Sequence, residues 1–179
     1  MRVIAIPDPS LVVLVGAPGS GKSTFAARHF AADEVLSSDA YRALLSGDEA
    51  DQRRTRTAFS ILHREVVRRL TAGRLVVVDA TNVEHHARRA LVERAGPARV
   101  PAIAIVFALP SGVVHARNAA RTERIVDSAV VVRHLARLAV ALGDGGITSE
   151  GFAAVHMLGS VEEIAGVVVE RRRRADEPV

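Results

Sequence analysis

Gly16-Ala17-Pro18-Gly19-Ser20-Gly21-Lys22-Ser23 decides the fold of this chain. The stretch fits the pattern G-x-x-x-x-G-K-[ST], in which glycines let successive backbone N–H groups turn inward around an anion. Just before it, residues 11–15 are continuously apolar and rich in β-branched side chains, which predicts a strand buried on both faces. Just after it, from Lys22 to about Phe30, the small and apolar residues Phe25, Ala26 and Ala27 predict a helix packed closely on a sheet. Strand, glycine turn and helix are the context the pattern requires, and the helix N-terminus adds partial positive charge. Lys22 is then expected to reach the β- and γ-phosphates of ATP and the Ser23 hydroxyl to ligate Mg²⁺, with Thr24 completing the nucleotide-binding run. Lys22 is also the sole lysine, every other cationic side chain being arginine, so this position calls for a compact ammonium instead of a planar fork.

Outward from the loop the same alternation repeats. Residues 35–37 and 75–78 read as further strands, with helices expected over 51–71, where Phe59, Leu62, Val66 and Leu70 recur at helical spacing, and over 86–95. Asp39 stands where it would cap a new helix. Residues 102–109 and 153–158 supply two more strands, 127–142 a helix, and a closing helix is expected from Val161. Five buried strands alternating with helices predict an α/β fold: a P-loop NTPase with a five-stranded parallel sheet, helices on both faces, and a helical arginine-bearing lid near 111–126. Ligands then sit at the carboxyl ends of the strands. One domain over 1–170 and an unstructured basic tail over 171–179 complete the expected organisation.

Composition narrows the classes. At 179 residues the chain suits one core, and 49% hydrophobic with 25% charged residues argues against disorder or a fibrous repeat. Aromatic residues make up only 3%, which argues against a stacking surface built from many exposed rings, so any nucleic acid is expected to be held chiefly by charge. Cysteine is absent, which removes disulfides and thiolate metal sites and fits a reducing cytoplasm. No signal segment is expected at the N-terminus, and no run approaches the roughly 20 apolar residues of a membrane span. A formal net charge of +4 favours anionic partners without naming one.

Three further groups carry candidate chemistry. Asp39 and Arg42 lie three apart at a helix start, so one carboxylate can take a proton from an attacking alcohol while the arginine holds a phosphate of the acceptor. The plain alternative is a helix cap beside a solvated arginine. Arg117, Arg121 and Arg124 are spaced by four and three residues, which on a helix makes one stripe able to close over phosphates, or else an exposed basic face. Asp79 ends an apolar strand, as a Walker B carboxylate on Mg²⁺ would, and as a turn residue also does. The seven histidines show no metal-ligand spacing, and His85-His86 reads as a surface pair at a helix start. Arg53, Arg54 and Arg56 either extend a path for a polyanion or form a solvated face.

Taken in order, the P-loop, Ser37-Ser38-Asp39-Ala40-Tyr41-Arg42, Val77-Val78-Asp79-Ala80-Thr81-Asn82 and Arg117-Asn118-Ala119-Ala120-Arg121 resemble the polynucleotide 5′-hydroxyl kinases. The resemblance is greatest to the N-terminal kinase domain of bacterial polynucleotide kinase-phosphatase, an RNA end-healing enzyme, and runs from about Leu11 to Glu170. It implies ATP-dependent phosphorylation of 5′-OH RNA or DNA ends. It further implies that Asp39 is the general base, that Arg42 contacts an acceptor phosphate, and that Arg117, Arg121 and Arg124 are lid arginines on the nucleotide or the transferring group. Asp79, Thr81, Asn82 and Gln52 are carried over with them, the last three on the acceptor side. Phosphatase and ligase regions are not expected after the kinase region, so 3′-phosphatase and sealing activities find no support in these residues, although end-repair components remain expected partners. Two other readings stay open: a small-molecule kinase acting on a nucleoside, sugar or antibiotic, and a module whose ATP state regulates a partner.

Overall fold

The computed structural model describes residues 2–44, 52–122, 125–143 and 145–173. Along the chain the elements are β1 (Arg2–Asp8), β2 (Leu11–Val15), α1 (Lys22–His29), β3 (Val35–Ser37), α2 (Ser38–Leu44), α3 (Gln52–Thr71), β4 (Val76–Asp79) and α4 (His85–Ala95). There follow β5 (Ala102–Phe107), α5 (Ser111–Ala119), α6 (Ser128–Leu142), a 3₁₀ turn (Ile147–Ser149), β6 (Ala154–Leu158), α7 (Val161–Gly166) and β7 (Val167–Arg173).

The five predicted strands pair in parallel in the order β3-β4-β2-β5-β6, so β2, which feeds the P-loop, is central. Every residue of β2, β4 and β5 is buried, as both faces of a parallel sheet demand. The alternation of β2 assigns those faces. Leu11, Val13 and Val15 pack with Leu62, Val66 and Leu70 of α3, Leu91 of α4 and Leu138 of α6. Val12 and Leu14 point the other way, toward Phe25 of α1, Ile4 and Ile6 of β1 and Val167 of β7. Register places Leu14 beside Asp79, so the P-loop and the end of β4 emerge together at one edge of the sheet.

Several expectations fail here. The closing helix stops at Gly166, and 167–173 is a strand parallel to β1, with Arg2 opposite Val167 and Asp8 opposite Arg173. Three consecutive β-branched residues, Val167 to Val169, disfavour helix and suit a pleated ribbon, and Val167 is buried against the α1 side of the sheet. Arg171 to Arg173 are therefore strand residues, not tail, and Arg171 forms a fork to Glu34 at 2.7 and 2.6 Å. This two-stranded layer and α1 share one face of the main sheet, where helices alone were expected.

Asp39 does not cap α2. The helix begins one residue earlier, and Ser37 Oγ accepts from the Ala40 N–H at 3.4 Å, so the capping hydroxyl lies two positions upstream. Asp39 thereby takes a place in the first turn, from which its carboxylate accepts sideways from Arg42.

Candidate active site

Gly19 shows why the loop takes the shape it does. Its φ is +85°, and a Cβ there would stand 2.8 Å from the Val114 carbonyl oxygen, so only glycine lets the loop lie against α5. Ala17, fully buried, packs with Val114 of α5 and Val131 of α6. The loop is thus braced from behind by the segment that carries the candidate lid arginines. Arg117 sits at the other side of the turn, where a Cβ on Gly21 would meet its Nη1 at 3.4 Å.

Lys22 is 8% exposed. Its Nζ donates to the Ala17 carbonyl at 2.9 Å and to Ser20 Oγ at 3.4 Å, so the buried ammonium is satisfied by the loop it belongs to. Burial pushes its pKa down to about 8; Asp79 and Asp39 oppose that fall and Arg121 adds to it. That set of neighbours locates Lys22 among both candidate carboxylates and a candidate lid arginine.

Two adjoining hollows open on the loop. One, of about 190 Å³, is lined by Gly19, Gly21, Lys22, Ser23, Thr24, Arg117 and Arg121. It has the backbone amides, hydroxyls and guanidiniums that phosphates need. The other, of about 240 Å³, joins Lys22 and Ser23 to Asp39, Arg42, Asp79, Thr81 and Arg121. Lys22, Ser23 and Arg121 border both hollows, so a group held in the first can be reached from the second. Arg42 bonds to the Asp39 carboxylate and also donates from Nε to the Ser38 carbonyl at 3.3 Å, which holds the pair on the rim of the second hollow.

A divalent cation fits this donor set. Ser23 and Asp79 offer a hydroxyl and a carboxylate on the same cavity wall, hard oxygen ligands of the type Mg²⁺ takes together with phosphate oxygens and water. Among the described residues no group of three or more His, Cys, Asp or Glu gathers into an all-protein cage.

Several predicted residues fall elsewhere. Arg121 lies past the end of α5, whose last residue is Ala119, so Arg117 and Arg121 are not one helical stripe although both face the phosphate hollow. Arg124 lies outside the described residues, as does the side chain of Gln52, whose backbone opens α3. Asn82, expected on the acceptor side, is only 5% exposed and does not line the cavity. Its Nδ2 donates to the Leu14 carbonyl at 2.8 Å, tying β4 to β2. Thr81 does line the cavity, and its carbonyl accepts from the Gly16 N–H at 2.9 Å.

Residues not foreseen from sequence complete the wall: Phe59 of α3, Val126, and Val130 and His134 of α6. Val126, Val130 and His134 recur every four residues, a signal present in the sequence but masked by the hydrophobic pattern that packs α6. Burial, with Arg137, Lys22 and Arg133 nearby and Glu84 opposing them, lowers the pKa of His134 and favours the neutral ring.

A family model described as an AAA domain matches residues 11–141, from the start of β2 almost to the end of α6. No curated protein matches the chain in sequence. Among solved structures, a chain of the Pnkp1/Rnl/Hen1 RNA repair complex is similar at 24% identity and a TM-score of 0.63, over 75% of this chain and 45% of that one. The present chain therefore spans less than half the length of that relative. A sugar kinase from Janibacter sp. HTCC2649 is similar at 20% identity and a TM-score of 0.59, over 84% of this chain and 85% of that one. A gluconokinase from Sinorhizobium meliloti 1021 follows at 18% identity and a TM-score of 0.54, over 89% and 87%. The likenesses agree on one kinase-type P-loop fold, and with the matched span covering most of its length this chain belongs to the AAA domain family.

Proposed function

We propose that the protein transfers the γ-phosphoryl group of ATP to the 5′-hydroxyl of an RNA or DNA end. The observation that carries this reading is a cavity in which Lys22 and Ser23 of the P-loop meet Asp39, Arg42 and Arg121. In the reaction the acceptor oxygen forms a bond to the γ-phosphorus while the bond from that phosphorus to the β,γ-bridging oxygen breaks. ADP leaves with the bonding electron pair, and Asp39 takes the hydroxyl proton. Gly16 to Thr24, Arg117 and Arg121 hold the donor, Arg121 and Lys22 facing the charge that spreads over the transferred group. Mg²⁺, when held by Ser23 and Asp79, would neutralise the β- and γ-phosphate oxygens. Arg42 holds the acceptor's own phosphate and Thr81 flanks the acceptor. The likeness to a chain from an RNA repair complex supports this acceptor and, with it, work beside end-repair partners.

A small-molecule acceptor is the second reading, favoured by the sugar kinase and gluconokinase structures, whose lengths this chain nearly matches. Transfer of labelled γ-phosphate from ATP to 5′-OH oligonucleotides, in competition with gluconate, hexoses and nucleosides, separates the two. The expected result is labelled oligonucleotide, with acceptor affinity falling steeply as salt is added because several phosphates are gripped. Preferential labelling of a sugar would reject the polynucleotide reading.

A further inference from the structure

Asn82 has a φ of +47°, a left-handed conformation that side-chain-bearing residues keep only where their surroundings hold them in it. The holding groups are visible. The Asn82 side chain donates to the Leu14 carbonyl, and its own carbonyl accepts from Arg88 Nη1 at 2.9 Å. Arg88, 1% exposed, is the largest fully buried side chain among the described residues. Its other nitrogens fork onto Glu150, Nε to Oε2 at 2.6 Å and Nη2 to Oε1 at 2.5 Å, across 62 residues of sequence. His85 Nδ1 approaches the same carboxylate at 3.0 Å. Burial would raise the Glu150 pKa, but hydrogen bonds from Arg88 and His85, with their charges, outweigh it and hold the carboxyl below its ordinary value.

A buried ion pair is a poor way to gain stability, since apolar side chains of similar volume usually do as well. It is a good way to fix a direction, because a guanidinium gripped bidentately cannot swing. Here the remaining Arg88 nitrogen, Nη1, donates to the carbonyl of Asn82, which follows the cavity-lining Thr81 and is tied to the central strand at Leu14. Thr81 precedes Asn82, lines the cavity and receives the Gly16 N–H, while Leu14 is two residues before Gly16. The bonds therefore run unbroken from Glu150 to the first residue of the P-loop.

We infer that Arg88 and Glu150 are positioning residues for phosphoryl transfer: by locking Asn82 left-handed they set Thr81 and the acceptor wall against the P-loop. This rests on the reading of the cavity as the meeting place of donor and acceptor. Beyond Gly16 the P-loop is braced by α5 and α6, which the lock does not touch, and Lys22 is held by Ala17 and Ser20 of the loop itself, so the lock acts mainly through Thr81 on the acceptor side.

The test compares wild type with Arg88→Lys, which keeps the charge but not the fork, and with Arg88→Met/Glu150→Met, which removes both buried charges and spares the fold an unpaired one. Thermal unfolding and the two KM values are measured on each, at a temperature well below unfolding. In both variants the acceptor KM is expected to rise and kcat to fall, each roughly tenfold, while the ATP KM moves less than about twofold. A merely structural pair would lower the unfolding temperature and the active fraction and leave both KM values alone; that outcome overturns the inference. If wild type phosphorylates a sugar and no 5′-OH end, the polynucleotide reading fails by itself, and the same split of KM values is read on that sugar. Wild type that transfers to no acceptor rejects both.

Discussion

Lys22 Nζ donates to the carbonyl oxygen of Ala17, 2.9 Å away and five residues back in the same loop. The ammonium is anchored by its own loop and at the same time lines the hollow that suits the β- and γ-phosphates. Arginine is a poor replacement, because its planar fork cannot stand where a compact ammonium donates to the Ala17 carbonyl and Ser20 Oγ within the loop. Lys22→Ala and Lys22→Arg are both expected to lower kcat/KM for transfer by roughly 10²-fold or more, measured on folded protein.

The lowered pKa of Lys22, about 8, sets the pH dependence of binding. Phosphate oxygens raise that pKa in the complex, so above pH 8 binding takes up a proton and ATP affinity falls as pH rises, by up to about tenfold per pH unit. The stability contribution has the opposite sign. Between about pH 8 and 10.5 the unfolded chain binds more protons at Lys22 than the folded one, so this group's burial penalty, full below pH 8, is relieved as pH rises. Calorimetric titration with ATP at pH 7 and pH 9, in buffers of different ionisation enthalpy, reads the proton uptake directly.

Asp39→Asn removes the proposed proton acceptor while keeping the shape. Transfer is expected to fall by about 10²- to 10⁴-fold with ATP binding retained, measured by end labelling and by nucleotide titration. Turnover close to wild type would take Asp39 out of the mechanism.

Gly19→Ala tests the brace between loop and α5. The left-handed φ of +85° and the 2.8 Å approach to the Val114 carbonyl both oppose a side chain. A loss of at least about 1 kcal/mol in urea unfolding is expected, along with weakened ATP binding as the loop shifts from α5.

Ile6→Ala tests the terminal ribbon. Ile6 is fully buried and packs in the same cluster as Phe25 and Leu158, so its truncation is expected to cost about 2 to 5 kcal/mol by chemical denaturation. A cost below about 0.5 kcal/mol would mean that the β1–β7 layer contributes nothing to the core.

Local pattern was enough for the sheet, the P-loop and most helices. The apolar run of β2, the glycines after it and the helical spacing through α3 are each properties of a few neighbouring residues, and propensity and periodicity act over that range. Asp39 and Arg42 were legible as a pair for the same reason, since residues three positions apart on one helix share a face. By contrast β1 pairs with a strand at the opposite end of the chain, and no local signal in Arg2–Asp8 names Val167–Arg173 as its partner.

The division runs through the site itself. Sequence alone determined which groups could hold a triphosphate, because the loop's chemistry is written in eight consecutive residues. Only tertiary structure decided that Asn82 is a buried tie set back from the cavity wall, that Phe59 and His134 line the cavity, and that Arg88 finds Glu150. Those outcomes depend on how α3, α4 and α6 are docked on the sheet, and docking follows from the packing of whole faces, which no short stretch of sequence encodes.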